Sequence, residues 1–221
     1  MCSATVGGDA GANPRQDARY GRDAQASAGT LVKVGAGAAG FDFTKIANNG
    51  STLTPAAALG PADTDWGCTK DNVTGLIWEV KTAAGIRQST HVYSWYSTEA
   101  NNGGNPGAVG GNTCGSTLSA ASYNNPCNTQ NFVAAVNAAT LYGAADWRLP
   151  KLKELTSLVH AGEATPTIDT TYFPNAISDF YWSSATYVFA FDKAWFVTFY
   201  KGNSDAAGKA SAQGVRLVRG G

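Results

Sequence analysis

Few side chains in this sequence can do chemistry, and their spacing narrows which chemistries are open. There are four cysteines, Cys2, Cys68, Cys114 and Cys127, and two histidines, His91 and His160. No two cysteines form a C-x-x-C pair, so neither a zinc site nor a thioredoxin-like couple is supported. Cys114 and Cys127 stand 13 positions apart across a stretch of Gly, Ser, Ala and Asn. Such a loop has little apolar surface to bury, and a disulfide between its ends is a sensible staple. Four cysteines allow about three pairings. Cys68 is left to pair with Cys2, to compete for either loop cysteine, or to stay free. No G-x-S-x-G elbow is present, and Ser183-Ser184, directly after Trp182, are expected to satisfy backbone groups beside a core. Glu154 and Glu163 could be imagined as an acid/base pair. However, Glu154 falls on the polar side of a leucine-striped helix, where a solvated role is expected. His160, near the end of that helix, and His91, in a polar turn, are expected at the surface. Asp71, Asn72, Asp146 and Asp169 offer oxygens to a hard cation, although turn and cap roles suit them better. A structural calcium is the one cofactor left open, and no glycine-rich phosphate loop with a lysine occurs.

The elements that must position these groups follow from composition and periodicity. At 221 residues the chain can bury one substantial core, or a core plus an extension. Sixteen basic residues against sixteen acidic leave no net charge, so nothing steers it toward nucleic acid or a membrane surface. Aromatics at 11% exclude a mainly disordered chain, and 26 glycines indicate long loops. No run approaches the ~18 apolar residues of a membrane-spanning helix.

After Pro150, apolar residues at Leu152, Leu155, Leu158 and Val159 predict a helix over 150–161, with Gly162 as its stop. Asn128 is a good N-cap for a helix over 128–142 carrying Phe132, Val133 and Val136. A short helix within 15–28 is also expected. Strands are expected at 31–34, 41–43, 75–80, 93–96, 180–184, 194–200 and 213–218, with turns at Asp71-Asn72, at 48–51 and over 201–205. Residues 100–127 form a long Asn/Gly-rich loop. In a chain only 14% charged, Trp78, Trp147, Trp182 and Trp195 are expected in the core. Residues 1–65 read as a tether and an extension packing on the domain, and residues 66–221 as the domain itself. Met1-Cys2-Ser3 reads as a start codon placed before a mature lipoprotein, which makes Cys2 a lipidation candidate and the location extracytoplasmic.

Several strings also carry a resemblance. "CTKDNVTGLIWEVKT", "YSWY", "CNTQNFVAAVNAA", "DWRLP" with its leucine helix, "YWSSA", "AWFVTF" and "GVRLVR" follow one another between Cys68 and Arg219. In this order the chain resembles the C-terminal domain family of the Legionella collagen-like adhesin. The resemblance implies an α+β, C-type lectin-like fold with two helices, short antiparallel strands and long loops, on the branch nearest the formylglycine-generating enzyme. It implies a surface module that binds a protein or glycan on a cell or phage surface. It also brings in the variable proteins of diversity-generating retroelements, which alter residues in a C-terminal block of this kind. Relatives often carry a cysteine where Tyr142 stands. The formylglycine-generating chemistry needs a cysteine pair near the C-terminal end, and this chain has no cysteine after Cys127; related iron enzymes need three histidines against the two here. The sugar-reading triplets of calcium lectins, Glu-Pro-Asn and Gln-Pro-Asp, do not occur. An enzyme of altered chemistry and a structural piece of a surface fibre remain as alternatives.

The candidate ligand site is the block between Ser184 and Gln213. It holds Tyr187, Phe189, Phe191, Lys193, Tyr200, Asn203, Ser204, Asp205, Lys209 and Ser211. Tyr, Phe, Asn and Ser on loops make an adaptable binding surface. On the strand within it, Trp195, Val197 and Phe199 are expected to face inward, and Phe196, Thr198 and Tyr200 the other way.

Overall fold

A computed structural model describes residues 20–111, 114 and 126–220. Three short helices accompany two antiparallel sheets of short strands, the α+β, C-type lectin-like arrangement. In the first sheet β1 (Phe43–Ala47), β2 (Trp66–Asp71), β3 (Ile77–Glu79) and β7 (Val218–Arg219) lie in that order. The second is a meander of β4 (Phe180–Thr186), β5 (Lys193–Thr198) and β6 (Ser204–Gly208).

Alternation along β4 and β5 explains how one sheet serves two apolar clusters. Successive strand residues point to opposite faces. Trp182, Ala194 and Phe196 enter one cluster with Trp95, Phe132, Trp147 and Leu217. Tyr181, Val197 and Phe199 enter the other with Trp78, Leu155, Phe173 and Val218. Burying each of the larger of these side chains contributes roughly 1.5–3 kcal/mol. Carbonyls accept from three of the core indole N–H groups: Trp95 donates to Ser183 at 2.9 Å and Trp182 to Tyr93 at 2.9 Å, tying distant segments together, and Trp147 donates to Leu141 at 3.1 Å, whereas the buried Trp78 N–H has no partner among the described residues. Trp78, Trp147 and Trp182 are buried as expected. Trp195 is only half-buried, and Phe196, expected to face away, belongs to the core.

The helices are shorter than the apolar periodicity suggests. α1 spans Arg22–Ser27 and buries no residue. α2 (Thr129–Ala138) begins where expected, with the Asn128 carboxamide accepting from the Asn131 N–H at 2.9 Å. It stops before Thr140 and Tyr142, which take left-handed φ values of 46° and 59°. α3 is a single turn, Leu152–Thr156. The Glu154 carboxylate accepts the Lys151 N–H at 2.7 Å and chelates Arg148 at 2.8 and 2.9 Å, so it is a cap and an ion-pair partner, not a solvated residue. Leu155 and Leu158 are buried as the stripe requires, although the helix has ended before Leu158.

Several strand expectations need correction, among them 93–96, which make only isolated bridges. Residues 31–34 form no strand: Val32 and Val34 are exposed, and the Val34 and Gly35 N–H groups cap the Asp42 carboxylate at 2.8 and 2.7 Å. β2 was not expected from its small and polar residues. β6 occupies Ser204–Gly208, partly where a turn was expected. The run 213–218 contributes only Val218–Arg219 to a sheet, with isolated bridges at Gln213 and Gly214. The turn at Asp71-Asn72 forms as expected, its carboxylate accepting from the Val73 N–H at 2.9 Å.

Cys114 and Cys127 are joined in a disulfide. Cys68 is free and buried, and burial pushes its thiol up to about 12. Cys2, the lipidation candidate, lies outside the described residues. Opening the disulfide by Cys114→Ser with Cys127→Ser releases a loop of 13 residues, for which chain entropy gives a loss of about 3 kcal/mol. The expected outcome is a clearly lower melting temperature by calorimetry, and non-reducing peptide mapping of the parent chain should return the 114–127 pair.

A buried charged cluster joins the first sheet to the end of the chain. Glu79, Lys81 and Arg216 are all buried. Lys81 Nζ lies 2.8 Å from Glu79 Oε1, while Glu79 Oε2 accepts the Leu217 N–H at 2.9 Å. Arg216 donates to the Glu79 carbonyl at 2.7 Å, and its guanidinium lies 5.0 Å from the Phe173 ring centre. Burial pushes Lys81 down to about 8 despite the adjacent carboxylate. Glu79→Gln leaves two buried cations without their anion, and removing one partner of a buried pair costs about 3–5 kcal/mol. Urea denaturation should show a loss of that size; a loss below about 1 kcal/mol would contradict this account of the cluster.

Candidate functional site

The meander decides which candidate residues can share a ligand. The β4–β5 hairpin, residues 187–192, turns at one end of the sheet, and the β5–β6 connection, residues 199–203, turns at the other. β5 between them spans roughly 17 Å at ~3.3 Å per residue. The expected block is therefore two surfaces. Tyr187, Phe189, Phe191 and Lys193 lie at the first end, with Ser211 in the turn after β6. Tyr200 and Asn203 lie at the second, with Ser204 opposite Val197 and Asp205 opposite Phe196 along β6.

At the first end the hairpin tip exposes a run of apolar side chains: Val188 at 66%, Phe189 at 83% and Phe191 at 51%. Tyr187 is half-buried and holds this tip edge-on against Trp195 at 5.1 Å and Phe189 at 5.5 Å. The tip leans on the neighbouring loop: Thr186 Oγ1 donates to the Asn101 carbonyl at 3.2 Å. Gly103 takes φ +68°, and a Cβ there would stand 2.7 Å from the Phe191 ring, so a side chain at this position would be strained and would have to shift that ring.

Lys209 was expected on the surface and is not there. Only 2% of it is exposed. Its ammonium donates to the carbonyls of Asn102 at 2.9 Å and Asn105 at 2.6 Å and lies 4.2 Å from the Trp95 ring centre. Desolvation lowers its pKa, with Asp192 opposing that shift. Its role is to pin the 102–105 loop beneath the hairpin. Sequence reasoning also missed Val188, Trp195 and the Asn101–Asn105 loop as parts of this surface. An Asn/Gly-rich loop was legible, but nothing in its residues names the lysine more than a hundred positions on that holds it. A small groove of about 290 Å³ lies on the other side of the loop, lined in part by Glu99, Asn101, Gln130, Arg148 and Lys151.

The second end is more polar and more tightly seated. Tyr200 is 56% exposed, with Lys201 over its ring at 5.6 Å. A Cβ on Gly202 would meet Val159 at 2.5 Å, so the turn rests directly on the helical side of the molecule. Asn203 and Ser204 are exposed. Asp205 is exposed on the strand, with its carboxylate accepting the Ala206 N–H at 2.7 Å.

The groups weighed for chemistry are held in structural roles. Ser183 is buried, and its hydroxyl donates to the Trp195 carbonyl at 2.9 Å. His91 is buried rather than in a surface turn; burial lowers its pKa, a hydrogen bond to Ile86 opposes this, and Lys81 adds to the lowering. His160 is also buried, stacked on Phe41 at 5.1 Å. Glu163 is exposed. Asp146 pairs with Arg219 at 2.7 Å, Asn72 donates to Asp42 at 2.9 Å, and Asp169 accepts the Ala38 N–H at 3.1 Å. Among the described residues, no three His, Cys, Asp or Glu side chains gather where they could hold a metal ion.

Lys209→Met keeps the stem over Trp95 and removes both carbonyl bonds, each charge-assisted bond being worth about 1.5–3 kcal/mol. The expected result is faster amide exchange across 97–107, with β2 and β3 unchanged. Uniform protection across the loop would contradict the pinning role.

The family model described as the Lcl C-terminal domain matches residues 67–219. No curated protein and no solved structure matches the chain. The matched stretch runs from β2 to β7 and contains both ends of the meander, the disulfide and the Glu79 cluster. β1 and α1 precede it. The chain belongs to the Lcl C-terminal domain family.

Proposed function

We propose that this domain is a non-enzymatic binding module of the adhesin kind, working outside the cytoplasm. Its contact surface would be the β4–β5 hairpin tip together with the Asn101–Asn105 loop. The observation that carries this reading is the exposed run Val188, Phe189 and Phe191 on a frame fixed by buried residues at both ends. Contiguous exposed aromatics of this kind mark interaction sites. A rigid frame lowers the ordering cost of binding. Family membership and the Cys114–Cys127 disulfide support an oxidising, extracytoplasmic setting.

The chemistry of the tip favours a protein partner over a glycan. Its exposed surface is mostly apolar, with Lys193 as the adjacent cation. Two of the candidate polar side chains suited to hydroxyl groups, Asn203 and Ser204, lie at the far end of β5, while Ser211 and the asparagines of the 101–105 loop border the tip. A retroelement-diversified receptor is a narrower form of the same reading, supported by tip residues that take no part in either core cluster. An enzyme of altered chemistry draws less support, because Ser183, His91 and His160 are buried and engaged in packing or hydrogen bonds.

The test uses the domain as a probe on arrayed surface proteins and glycans, followed by variants measured against whatever it captures. Phe189→Ala with Val188→Ser should weaken binding by roughly tenfold or more, as truncating a central aromatic contact does. Melting should barely move, since exposed substitutions shift stability by about 0.5 kcal/mol or less. Tyr200→Ala with Asn203→Ala should leave binding intact. Binding lost in the second pair and kept in the first would place the site at the wrong end.

A further inference from the structure

Tyr187 and Trp195 belong to neither core cluster, unlike Tyr181, Trp182 and Phe196 on the same two strands. Both are half-buried. Their rings meet edge-on at 5.1 Å and 74°, and Phe189 extends the row at 5.5 Å and 63° from Tyr187. On β6 the residues opposite Trp195 and Lys193 are Ala206 and Gly208, so no large side chain stands over the indole from that strand.

The polar groups of this row are open donors. Trp66, Trp95, Trp147 and Trp182 each give the indole N–H to a carbonyl, and the Trp78 nitrogen is sealed in the core. The Trp195 nitrogen differs from all five: it has no acceptor among the described residues, and it is open to solvent. The Tyr187 hydroxyl is likewise open and without a partner among the described residues. An indole N–H can only donate, so what completes this surface must bring acceptors.

Two common ways of holding a polypeptide are ill-suited to this end of the sheet. Strand addition needs free backbone groups along an edge. Asn203 and Lys209 pair with β5, through Thr198 and Asp192, so by alternation Ser204, Ala206 and Gly208 turn their backbone groups outward. The Ala206 N–H is already taken by the Asp205 carboxylate at 2.7 Å, which interrupts that edge. An amphipathic helix needs an apolar trough, whereas Val188 and Phe189 stand up from a turn.

We propose that the partner presents a proline-rich segment, in polyproline II form, to this row of rings. The inference rests on the reading of the tip as a protein contact surface and names the chemistry of the contact. A polyproline II segment has no internal hydrogen bonds, so its carbonyls are free to accept. They would accept from Trp195 Nε1 and the Tyr187 hydroxyl, while prolines lie in the notches between the edge-on rings. One turn of that helix rises ~9 Å, and the two ring spacings, 5.1 and 5.5 Å, cover about that length at full extent. Such a segment is already extended, so ordering it on the surface costs little. Asp192 and Lys193, both exposed beside the row, are of opposite sign, which leaves an uncharged segment at no disadvantage.

Decaproline titrated into the isotope-labelled domain tests this by NMR. The Trp195 indole cross-peak, assigned by its loss in Trp195→Phe, should move downfield and saturate, while those of Trp95, Trp147 and Trp182 stay in place. A glycine–serine peptide of equal length should move none of them. By calorimetry, Trp195→Phe keeps an aromatic ring and removes the N–H; it should weaken binding by about fivefold or more with melting retained. Tyr187→Phe, which removes only the hydroxyl, should weaken it as well. The proposal is overturned if the Trp195 cross-peak ignores decaproline, if the glycine–serine peptide moves it equally, or if both variants bind as the parent does. A protein captured by the domain that needs Phe189, yet is not displaced by proline-rich peptides, would sink the proposal and leave the reading of the tip standing. Capture that survives Phe189→Ala with Val188→Ser would overturn both.

Discussion

The buried carboxylate of Glu79 is the constraint on which the two-sheet arrangement depends. It sits on the last residue of β3 and answers to the Lys81 ammonium and the Leu217 N–H. Its own carbonyl takes a bond from Arg216. One residue therefore fixes how the C-terminal strand enters the first sheet. From Leu217 onward, side chains alternate between the two apolar clusters, Leu217 into one and Val218 into the other. A charge at this depth is costly unless every lone pair has a donor. Any packing of the chain end that failed to bring Leu217 and Arg216 to this point would leave that cost uncovered. The cluster thus acts as a registration pin more than as a source of net stability.

How much of this was legible depends on whether the deciding contact is local. Trp78, Trp147 and Trp182 could be placed in the core because a weakly charged chain offers few other homes for an indole. The Asn128 cap was legible because a cap is a matter of four adjacent residues. The 114–127 disulfide was suggested by the poverty of the loop it closes. The end of α2 was not legible, since Thr140 and Tyr142 carry no marker for left-handed backbone. Nor was the short α3: Thr156 Oγ1 bonds back to the Leu152 carbonyl at 2.8 Å, and the chain then turns so that the His160 N–H meets Thr167 at 2.9 Å. β6 has almost no strand propensity in Ser-Asp-Ala-Ala-Gly and forms because the open edge of β5 accepts it.

The candidate site was legible in its residue types and not in its geometry. Aromatic and small polar residues between Ser184 and Gln213 indicated a contact surface, yet nearness in sequence was mistaken for nearness in space. A six-residue strand is enough to carry Tyr187 and Tyr200 to opposite ends of a sheet. Lys209 was misplaced because its exposure is set by the Asn101–Asn105 loop, whose position comes from tertiary packing. His91 and His160 were misplaced similarly, because a polar neighbourhood in sequence says nothing about which elements later cover it.

The contact between Gly103 and Phe191 has a consequence for how this surface can change over generations. Val188 and Phe189 belong to neither cluster, and Phe189 is tied to the hairpin through its edge-on contact with Tyr187. Thr186 and Phe191 lie against the backbone of Gly103, where a Cβ would stand 3.1 and 2.7 Å from them. A bulkier residue at either hairpin position, or any side chain at 103, would displace the partner segment. Hairpin and loop are therefore sterically constrained as a matched pair. Substitution at the tip is cheap outward and coupled inward, where a change in one segment calls for a change in the other.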